Sequence, residues 1–468
     1  MEKVLLINPR GEFKTPIMPH GLALIGAYLK SKNIEVSAID AGAEDLDIKT
    51  LENRVFQSGA DIIGIYMAST YYDKAKSAIE VCRRALPNSI IIAGGPHSSA
   101  LPVETLNEIP ELDICVVGEG EITMYEIVKS LQENSELSMV DGIVFRNNKE
   151  IISTKPRDLI KDLDIVPFPD RDLFPHDKYK GMPLFIREKP SFVVITSRGC
   201  PYQCAYCSKD VFRDTYRGRS FKNVCDEIEE LISKYGAKEI QFYDDEFTMN
   251  RKRTMDLCDE MIRRNFKIRW SCIARVDLVD EELLLKMKQA GCWLIAYGVE
   301  SGNQEILDNI KKGYTIKQVI SSFEMTRKIG IKILAYFMVG LPGETEETYQ
   351  ETIKLSKKIK PNFAVWSVLV VYPGSRLFKL INQRKYSGKL IDLGKEGKLS
   401  GTFYGKGNFI VFEDNLPIER LKELSKKANQ GFYLRPAYVI QSLKSIRSLS
   451  DIIYYLRGAL RVIESFIG

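Results

Sequence analysis

The chain has 468 residues, of which 44% are hydrophobic and 28% are charged. These fractions are close to the globular average and exclude disorder, collagen-like repeats or coiled coil as the main architecture. The 67 Lys and Arg exceed the 62 Asp and Glu by only five and are scattered, so nothing indicates a nucleic-acid partner. We find no secretory signal and no apolar run near the ~20 residues that span a membrane, and we therefore expect a cytoplasmic protein.

About the first 150 residues alternate short apolar runs with amphipathic stretches, which is typical of repeated βα units around a parallel sheet. The runs are rich in Val and Ile and lack polar alternation, as in strands that are buried on both faces. They begin at Val4, Val36, Ile62, Ile90 and Ile114. We therefore predict an α/β fold in which residues 1–140 form a doubly wound, flavodoxin-like domain.

Ligands of such sheets bind beyond the carboxyl ends of the strands, where this sequence has polar and glycine-rich turns. The candidate ligand-binding residues in these turns are Ser69, Thr70, Gly94, Gly95, His97, Gly118, Glu119 and Gly120.

Three further regions follow the predicted first domain. Residues 141–190 are predicted to contain a hairpin and then a proline-rich linker between domains. Six strand-like runs separated by helical patterns predict a partial (β/α)6 barrel over residues 191–375, with its chemistry at the carboxyl ends of the strands. Beyond it the strand pattern fades, and residues 376–468 are predicted to form a helical extension.

Nine cysteines in a chain without a secretory signal are expected to stay reduced, so a group of them indicates a metal site rather than disulfides. Cys200, Cys204 and Cys207 lie directly after the first predicted barrel strand. Zinc sites usually need four ligands in separated pairs, and no second CxxC or His pair accompanies these three. Three thiolates on one loop suit a [4Fe-4S] cluster with one iron left open to a substrate or cofactor.

The CxxxCxxC spacing, with the aromatic Tyr206 before the last cysteine, resembles the radical S-adenosylmethionine (SAM) superfamily. Further motifs of that family fall at the ends of successive predicted strands. The resemblance implies that Asp244, Asp245 and Glu246 contact the amino group of SAM and that Arg275 contacts its carboxylate. It further implies that Glu300 contacts the ribose and that Gly340 lies beside adenine. These residue types also suit SAM chemically. An acid can bind its amine, an Arg its carboxylate and an acceptor its ribose hydroxyls, and a glycine lets the backbone approach adenine closely. Taken alone, Arg275 and Asp277 are also consistent with an ordinary surface ion pair.

The order of the two domains and the glycine turns of the first resemble the cobalamin-binding radical SAM proteins. The resemblance implies that residues 1–140 bind cobalamin. A D-x-H-x-x-G motif is absent, so the sequence does not predict a histidine ligand to cobalt. His97, after Gly-Gly-Pro, is consistent both with a ligand contact and with a packed loop histidine.

The resemblance implies an enzyme that generates a 5′-deoxyadenosyl radical and methylates or otherwise modifies an unactivated carbon of a hydrophobic metabolite. A cyclisation or carbon–carbon coupling of a tetrapyrrole or membrane lipid is one alternative, and a non-enzymatic cobalamin or iron–sulfur sensor is another. An electron donor such as ferredoxin or flavodoxin is the expected partner.

The C-terminal tail adds an expectation about substrate class. The segment from Phe432 to Tyr438 resembles the branch that includes the anaerobic magnesium-protoporphyrin IX monomethyl ester cyclase and lipid- and hopanoid-modifying enzymes. Residues 451–468 have an apolar helical face opposite Arg457 and Arg461, which predicts a helix that packs on its own domain or lies at a membrane surface.

Overall fold

The computed structural model of the protein describes residues 2–11, 17–148, 150–179, 181, 185–384, 388–394, 399 and 409–444. They form two α/β domains joined by an irregular linker, followed by a C-terminal segment that packs on the second domain.

The first domain has the predicted doubly wound sheet. Its five parallel strands are β1 (Lys3–Asn8), β2 (Glu35–Asp40), β3 (Ile62–Tyr66), β4 (Ile90–Gly94) and β5 (Ile114–Val116). They pair in the order β2-β1-β3-β4-β5, which is the flavodoxin-like order. Separate apolar cores fill the two faces of the sheet, which explains why the strands show no polar alternation.

Helices cover both faces of this sheet. They are α1 (His20–Ser31), α2 (Ile48–Ser58), α3 (Tyr72–Ala85), α4 (Pro96–Ala100), α5 (Pro102–Glu108) and α6 (Gly120–Gln132). Local signals set their ends: the Asp47 side chain accepts a hydrogen bond from the Thr50 amide at 2.7 Å to begin α2, and Gly59 ends it in the left-handed conformation.

The predicted hairpin forms, but it belongs to the first domain rather than to the linker. Its strands are β6 (Ile143–Asn147) and β7 (Glu150–Ser153), and β6 pairs antiparallel with β5. The boundary at residue 140 was therefore placed too early. The physical reason is that β5 would otherwise leave an unpaired edge, which the hairpin covers.

The second domain contains the six predicted parallel strands. They are β8 (Ser191–Val194), β11 (Glu239–Phe242), β12 (Arg269–Ala274), β13 (Cys292–Glu300), β14 (Lys332–Val339) and β15 (Phe363–Val368), and they lie side by side in chain order. Two short strands, β9 (Ser197–Arg198) before the cysteine loop and β10 (Arg217–Gly218) after it, pair as an antiparallel ribbon. The helices between strands are α7 (Phe221–Tyr235), α8 (Arg251–Arg263), α9 (Glu281–Gln289), α10 (Gln304–Asn309), α11 (Ile316–Ile329) and α12 (Glu346–Ile359).

The C-terminal segment is mainly helical, as predicted, but it also contains a two-stranded hairpin that the sequence did not reveal. Its elements are α13 (Arg376–Asn382), β16 (Lys389–Asp392), β17 (Ile410–Glu413), α14 (Ile418–Tyr433) and α15 (Pro436–Lys444). The helix α14 packs on the last barrel strand, where Tyr433 Oη donates to the Ala364 carbonyl at 2.7 Å. The predicted amphipathic helix over 451–468 lies outside the described residues. None of the helices in the described ranges has the length and apolar character needed to cross a membrane.

Candidate functional site

The cysteine loop is anchored at both ends. The Asp244 carboxylate, at the end of β11, accepts hydrogen bonds from Thr196 N at 2.8 Å and Ser197 Oγ at 2.7 Å, which fixes the start of the loop to the next strand. At its other end the Lys209 ammonium donates to the Cys200 carbonyl at 3.0 Å and forms an ion pair with Asp214 at 2.7 Å. The loop is therefore held at a carboxyl end of the barrel, as predicted.

The three thiols differ in environment. Cys204 is buried, Cys200 is half-buried and Cys207 is exposed. A hydrogen bond from Cys207 lowers the pKa of Cys204 to about 6, and the positive charges of Lys312 and Arg275 act in the same direction against burial. The same hydrogen bond raises the pKa of Cys207. Cys204 is thus predisposed to be a thiolate, the form that binds metal.

Arg275 follows β12 and lies beside the cysteine loop. Its Nε and Nη2 donate to the two oxygens of Asp277 at 2.9 and 3.0 Å, so the expected pair exists. However, the pair is not on the surface, because the two side chains are only 7% and 13% exposed. The guanidinium stacks 3.5 Å from the Tyr202 ring centroid, and Nη1 lies 4.0 Å from Cys204 Sγ. Nη1 is the nitrogen that faces the cysteine loop.

Glu300 ends β13 in an unusual backbone conformation. Its φ is +63°, and the pairing of β13 with β14 is irregular between Gly298 and Glu300. A non-glycine residue adopts this conformation only when its surroundings impose it. The carboxylate Oε1 accepts from Tyr206 Oη at 3.0 Å and from Lys312 Nζ at 2.8 Å. The structure therefore brings Tyr206 of the cysteine loop and Glu300 together.

The other two acids after β11 are placed differently from Asp244. Asp245 accepts from the Gly199 amide at 3.0 Å, next to the first cysteine. Glu246 is buried and accepts from Thr248 Oγ1 at 2.6 Å, and burial raises the pKa of Glu246 to about 7. Asp244 thus anchors the loop, whereas Asp245 and Glu246 stay candidates for the SAM amino group.

Gly340 follows β14 with φ +87°, which favours glycine. Its amide donates to Glu344 Oε2 at 2.6 Å, and a Cβ at this position would lie 2.8 Å from a methyl group of Leu421 in α14. Packing against α14 therefore explains the glycine, and a contact of its backbone with adenine stays a prediction.

The candidate residues of the first domain surround the ends of β3, β4 and β5. Ser69 Oγ lies 2.9 Å from His97 Nδ1, and the His97 ring packs 4.6 Å from that of Tyr72. Burial lowers the pKa of His97 to about 4, so the ring is neutral near pH 7. Gly95 (φ +115°) follows Gly94, and a Cβ on Gly95 would lie 2.8 Å from the Met67 carbonyl. These contacts favour a packed loop histidine.

The turn from Gly118 to Gly120 connects the two domains. Gly118, with φ +89°, donates its amide to Ser99 Oγ at 3.1 Å. The Glu119 carboxylate is buried and bonds to Arg198 Nη1 at 2.6 Å, to Arg217 Nη1 at 2.9 Å and to the Ile160 amide at 2.9 Å. Both oxygens of Glu119 are engaged, which gives this residue a role between domains that the sequence did not predict.

A cavity of about 620 Å³ lies between the domains. The first domain contributes Ser99, Val117, Gly118 and Glu119, the second contributes Cys204, Cys207 and Gly374 among others, and the C-terminal segment contributes Arg376. His97 lies outside the set of described residues that line it. The carboxyl edge of the first sheet and the cysteine loop therefore face one shared space.

The comparisons with known proteins agree with this arrangement. Residues 194–356 match the Radical SAM superfamily, and residues 10–128 match the B12 binding domain. The chain is 33% identical to an uncharacterized methyltransferase of Pyrococcus horikoshii, over 98% of either chain. The chain belongs to the cobalamin-binding radical SAM superfamily. It is also 30% identical to the anaerobic magnesium-protoporphyrin IX monomethyl ester cyclase of Rubrivivax gelatinosus, over 82% of this chain and 70% of that enzyme.

Two solved structures have the same fold. The radical SAM methyltransferase TsrM from Kitasatospora setae, with cobalamin and a [4Fe-4S] cluster bound, superposes with a TM-score of 0.75 at 18% identity, over 93% of this chain and 89% of TsrM. The cobalamin-dependent SAM radical enzyme OxsB, with aqua-cobalamin and SAM bound, gives 0.76 at 20% identity, over 100% of this chain and 72% of OxsB. By the two family matches and the relatives that are 33% and 30% identical, the protein is a cobalamin-dependent radical SAM enzyme of the methyltransferase or cyclase type, which uses a [4Fe-4S] cluster, SAM and cobalamin.

The residues of this radical SAM enzyme fit the cofactors. In the described part of the chain no three His, Cys, Asp or Glu side chains converge on one metal ion. A cluster does not need such convergence, because each thiolate binds a different iron. Three thiols on one loop, one of them with a lowered pKa, are suitable donors. The cavity between the domains adjoins the cysteine loop and is a candidate site for cobalamin.

Sequence reasoning missed Lys312, Tyr314 and the arginines Arg198 and Arg217. Lys312 and Tyr314 lie in the connection between α10 and α11 rather than at a strand end, so the rule that locates sites at strand ends did not include them. Gly313, with φ +78°, is the one local signal of a specific turn there.

Proposed function

We propose that Cys200, Cys204 and Cys207 hold the [4Fe-4S] cluster and that the enzyme methylates an unactivated carbon of a hydrophobic metabolite. The observation that supports this proposal is the cavity between the domains. It is lined on one side by the cysteine loop and on the other by the carboxyl edge of the sheet in the cobalamin-binding domain. When bound, the cofactors supply one-electron cleavage of SAM and a carrier for a methyl group.

In this proposal the chain's own side chains bind and orient SAM. Because Asp277 and the Lys312 carbonyl occupy the other nitrogens of Arg275, its Nη1 is the donor for the SAM carboxylate. Glu300 is held through Oε1 and offers Oε2 to the ribose hydroxyls. Asp245 and Glu246 are the acids for the amino group, and their pKa values are raised by burial, so a bound ammonium would restore their charge.

The substrate class is inferred from relatives. The cyclase of R. gelatinosus takes a magnesium-porphyrin ester by its name, and a 24% identical enzyme of Chlorobaculum tepidum is a bacteriochlorophyllide methyltransferase by its name. Both names describe large hydrophobic molecules, which supports a hydrophobic substrate here. The same proposal includes an electron donor, such as ferredoxin or flavodoxin, that reduces the cluster. It also includes a cytoplasmic location and a peripheral contact of the C-terminal tail with the membrane.

A cyclase is the second candidate, favoured by that similarity to the R. gelatinosus enzyme. The discriminating experiment needs no substrate: the anaerobically reduced holoenzyme is incubated with SAM carrying a deuterated methyl group. A methyltransferase is expected to form deuterated methylcobalamin and 5′-deoxyadenosine, both detectable by mass spectrometry. 5′-Deoxyadenosine without labelled methylcobalamin would favour the cyclase, and neither product would contradict the proposal.

A further inference from the structure

The loop of residues 310–315, between α10 and α11, contacts three separate parts of the site. The Ile310 carbonyl accepts from the Ala205 amide of the cysteine loop at 2.9 Å. The Lys312 carbonyl accepts from Arg275 Nη2 at 2.7 Å. The Lys312 ammonium donates to Glu300 Oε1 at 2.8 Å and to Tyr206 Oη at 2.9 Å. One residue, Lys312, thus contacts both Arg275 and Glu300, which are assigned to the SAM carboxylate and ribose.

The Lys312 ammonium is buried, with only 7% of the residue exposed. Burial by itself lowers the pKa of a lysine, but Glu300, followed by Tyr206 and Tyr314, reverses this and raises the pKa of Lys312 well above its usual value. The charged Lys312 holds the Glu300 carboxylate through one oxygen by a charge-assisted hydrogen bond. Among the described residues, both bonds to that carboxylate go to Oε1, which leaves Oε2 for a hydroxyl donor.

Contacts from the same loop explain the left-handed backbone conformation of Glu300. A φ of +63° at a non-glycine residue persists only where several contacts impose it. Tyr314 Oη donates to the carbonyls of Gly298 and Val299, the latter at 3.4 Å, while Lys312 holds the Glu300 side chain. The loop therefore determines the direction in which Glu300 points.

We propose that Lys312 is a positioning residue for SAM, which aims Glu300 through its ammonium and Arg275 through its carbonyl. This inference rests on the proposed roles of Arg275 and Glu300. It predicts that Lys312 acts chiefly on the affinity for SAM, because among the described residues its side chain bonds to Glu300 and Tyr206. The cluster is expected to assemble without it, because all three thiols remain.

The test replaces Lys312 by Met in the full-length, anaerobically reconstituted holoenzyme. We expect the Kd of SAM and the KM for SAM in 5′-deoxyadenosine formation to rise roughly ten- to hundredfold, as for the loss of a charged hydrogen bond. Iron content and kcat at saturating SAM are expected to stay within about twofold. The matched control is Lys311→Met, because the neighbouring Lys311 is exposed and should leave SAM affinity unchanged.

A double-mutant cycle shows whether Lys312 acts through Glu300. If it does, the variant with both Lys312→Met and Glu300→Gln binds SAM about as weakly as Glu300→Gln alone. Losses that multiply, an unchanged KM in Lys312→Met, or loss of iron in both Lys312→Met and Lys312→Gln would each overturn the inference. If instead Arg275→Ala and Glu300→Gln themselves keep normal SAM affinity, it is the proposed SAM site that fails.

Discussion

Glu119 Oε1 lies 2.6 Å from Arg198 Nη1, and this ion pair joins the cobalamin-binding domain to the barrel. Arg198 is two residues before Cys200, so the pair ties the turn after β5 directly to the start of the cysteine loop. Arg198 also bonds to Glu121 at 2.5 Å, and Arg217 adds a second guanidinium to Glu119. All four side chains are at most 8% exposed. Buried charges thus connect the carboxyl edge of the first sheet to the cysteine loop.

Removing the negative charge of this network is expected to destabilise the protein. Glu119→Gln leaves the Arg217 guanidinium buried without its carboxylate, which costs about 3–5 kcal/mol in comparable cases. We expect a lower thermal unfolding midpoint and faster proteolysis of the linker between the domains. The control is Glu133→Gln, because Glu133 pairs with Lys129 on the surface, where such a pair contributes at most about 1 kcal/mol. Equal midpoints for the two variants would show that Glu119 does not hold the domains together.

The cluster assignment predicts that Cys204→Ala loses both bound iron and SAM cleavage, because the cluster needs all three thiolates. Iron and sulfide analysis with the visible absorption spectrum of the anaerobic protein measures the first, and 5′-deoxyadenosine formation measures the second. Cys258→Ala is the matched control, since Cys258 is a buried core residue of α8 whose thiol pKa is raised by burial. A Cys204→Ala enzyme with four irons and normal turnover would refute the assignment.

The SAM assignment predicts that Arg275→Ala and Glu300→Gln each weaken SAM binding roughly ten- to hundredfold while the cluster still assembles, because each removes a charge-assisted hydrogen bond. Equilibrium dialysis under anaerobic conditions measures the affinity. Arg251→Ala tests whether loss of any paired arginine has this effect, because Arg251 pairs with Asp280 at 2.6 Å but is 46% exposed. We expect its affinity for SAM to equal that of the unmodified protein.

The parallel strands of the two domains were predictable from the sequence, whereas the contacts between distant segments were not. The six barrel strands are apolar runs of the right length; the motif residue Arg275 directly follows one of them, and Glu300 ends another. By contrast, Glu119 is a polar residue in a turn with no local sign that it contacts Arg217, 98 residues away. The resemblance suggested a cofactor contact for Glu119, and only the tertiary structure revealed its partners.

The hairpin of β6 and β7 is a second case in which the local sequence predicted an element but not its distant partner. Its turn was predictable from Asn147-Asn148, because Asn tolerates left-handed backbone, and Asn148 indeed has φ +55°. Its membership of the first sheet depends on the free edge of β5, a property of the assembled sheet that no local pattern records.

Cobalamin binding is expected without a protein nitrogen on cobalt. Neither His97 nor His20 belongs to the described lining of the cavity between the domains. His97→Ala and His20→Ala are therefore expected to take up cobalamin with the same absorption and electron paramagnetic resonance spectra as the unmodified protein. Loss of an axial nitrogen signature in either variant would contradict this, and failure of the unmodified protein to bind cobalamin would refute the domain's assigned role.

His20 also predicts how stability depends on pH. Burial lowers the pKa of His20 from 6.5 to about 3. The charge of Glu227 opposes this shift, whereas the charges of Arg171, Arg219 and Arg198 add to it. The folded pKa lies below the unfolded one, so the unfolded chain gains a proton first as the pH falls below about 6.5. This site therefore contributes its full stability above that pH and loses about 1.4 kcal/mol per pH unit below it, until the pH approaches 3.

Glu227 contributes in the same direction at lower pH, because Arg219 and Arg171 overcome its burial and lower its pKa from 4.5 to about 2. The two effects are separated by comparing the unmodified protein with His20→Gln at pH 7 and pH 5. Between these values the unmodified protein should lose about 2 kcal/mol more stability than the variant, because Glu227 stays ionised in both. Urea unfolding followed by tryptophan fluorescence measures the difference, and equal losses in the two proteins would show that His20 is not buried in its neutral form.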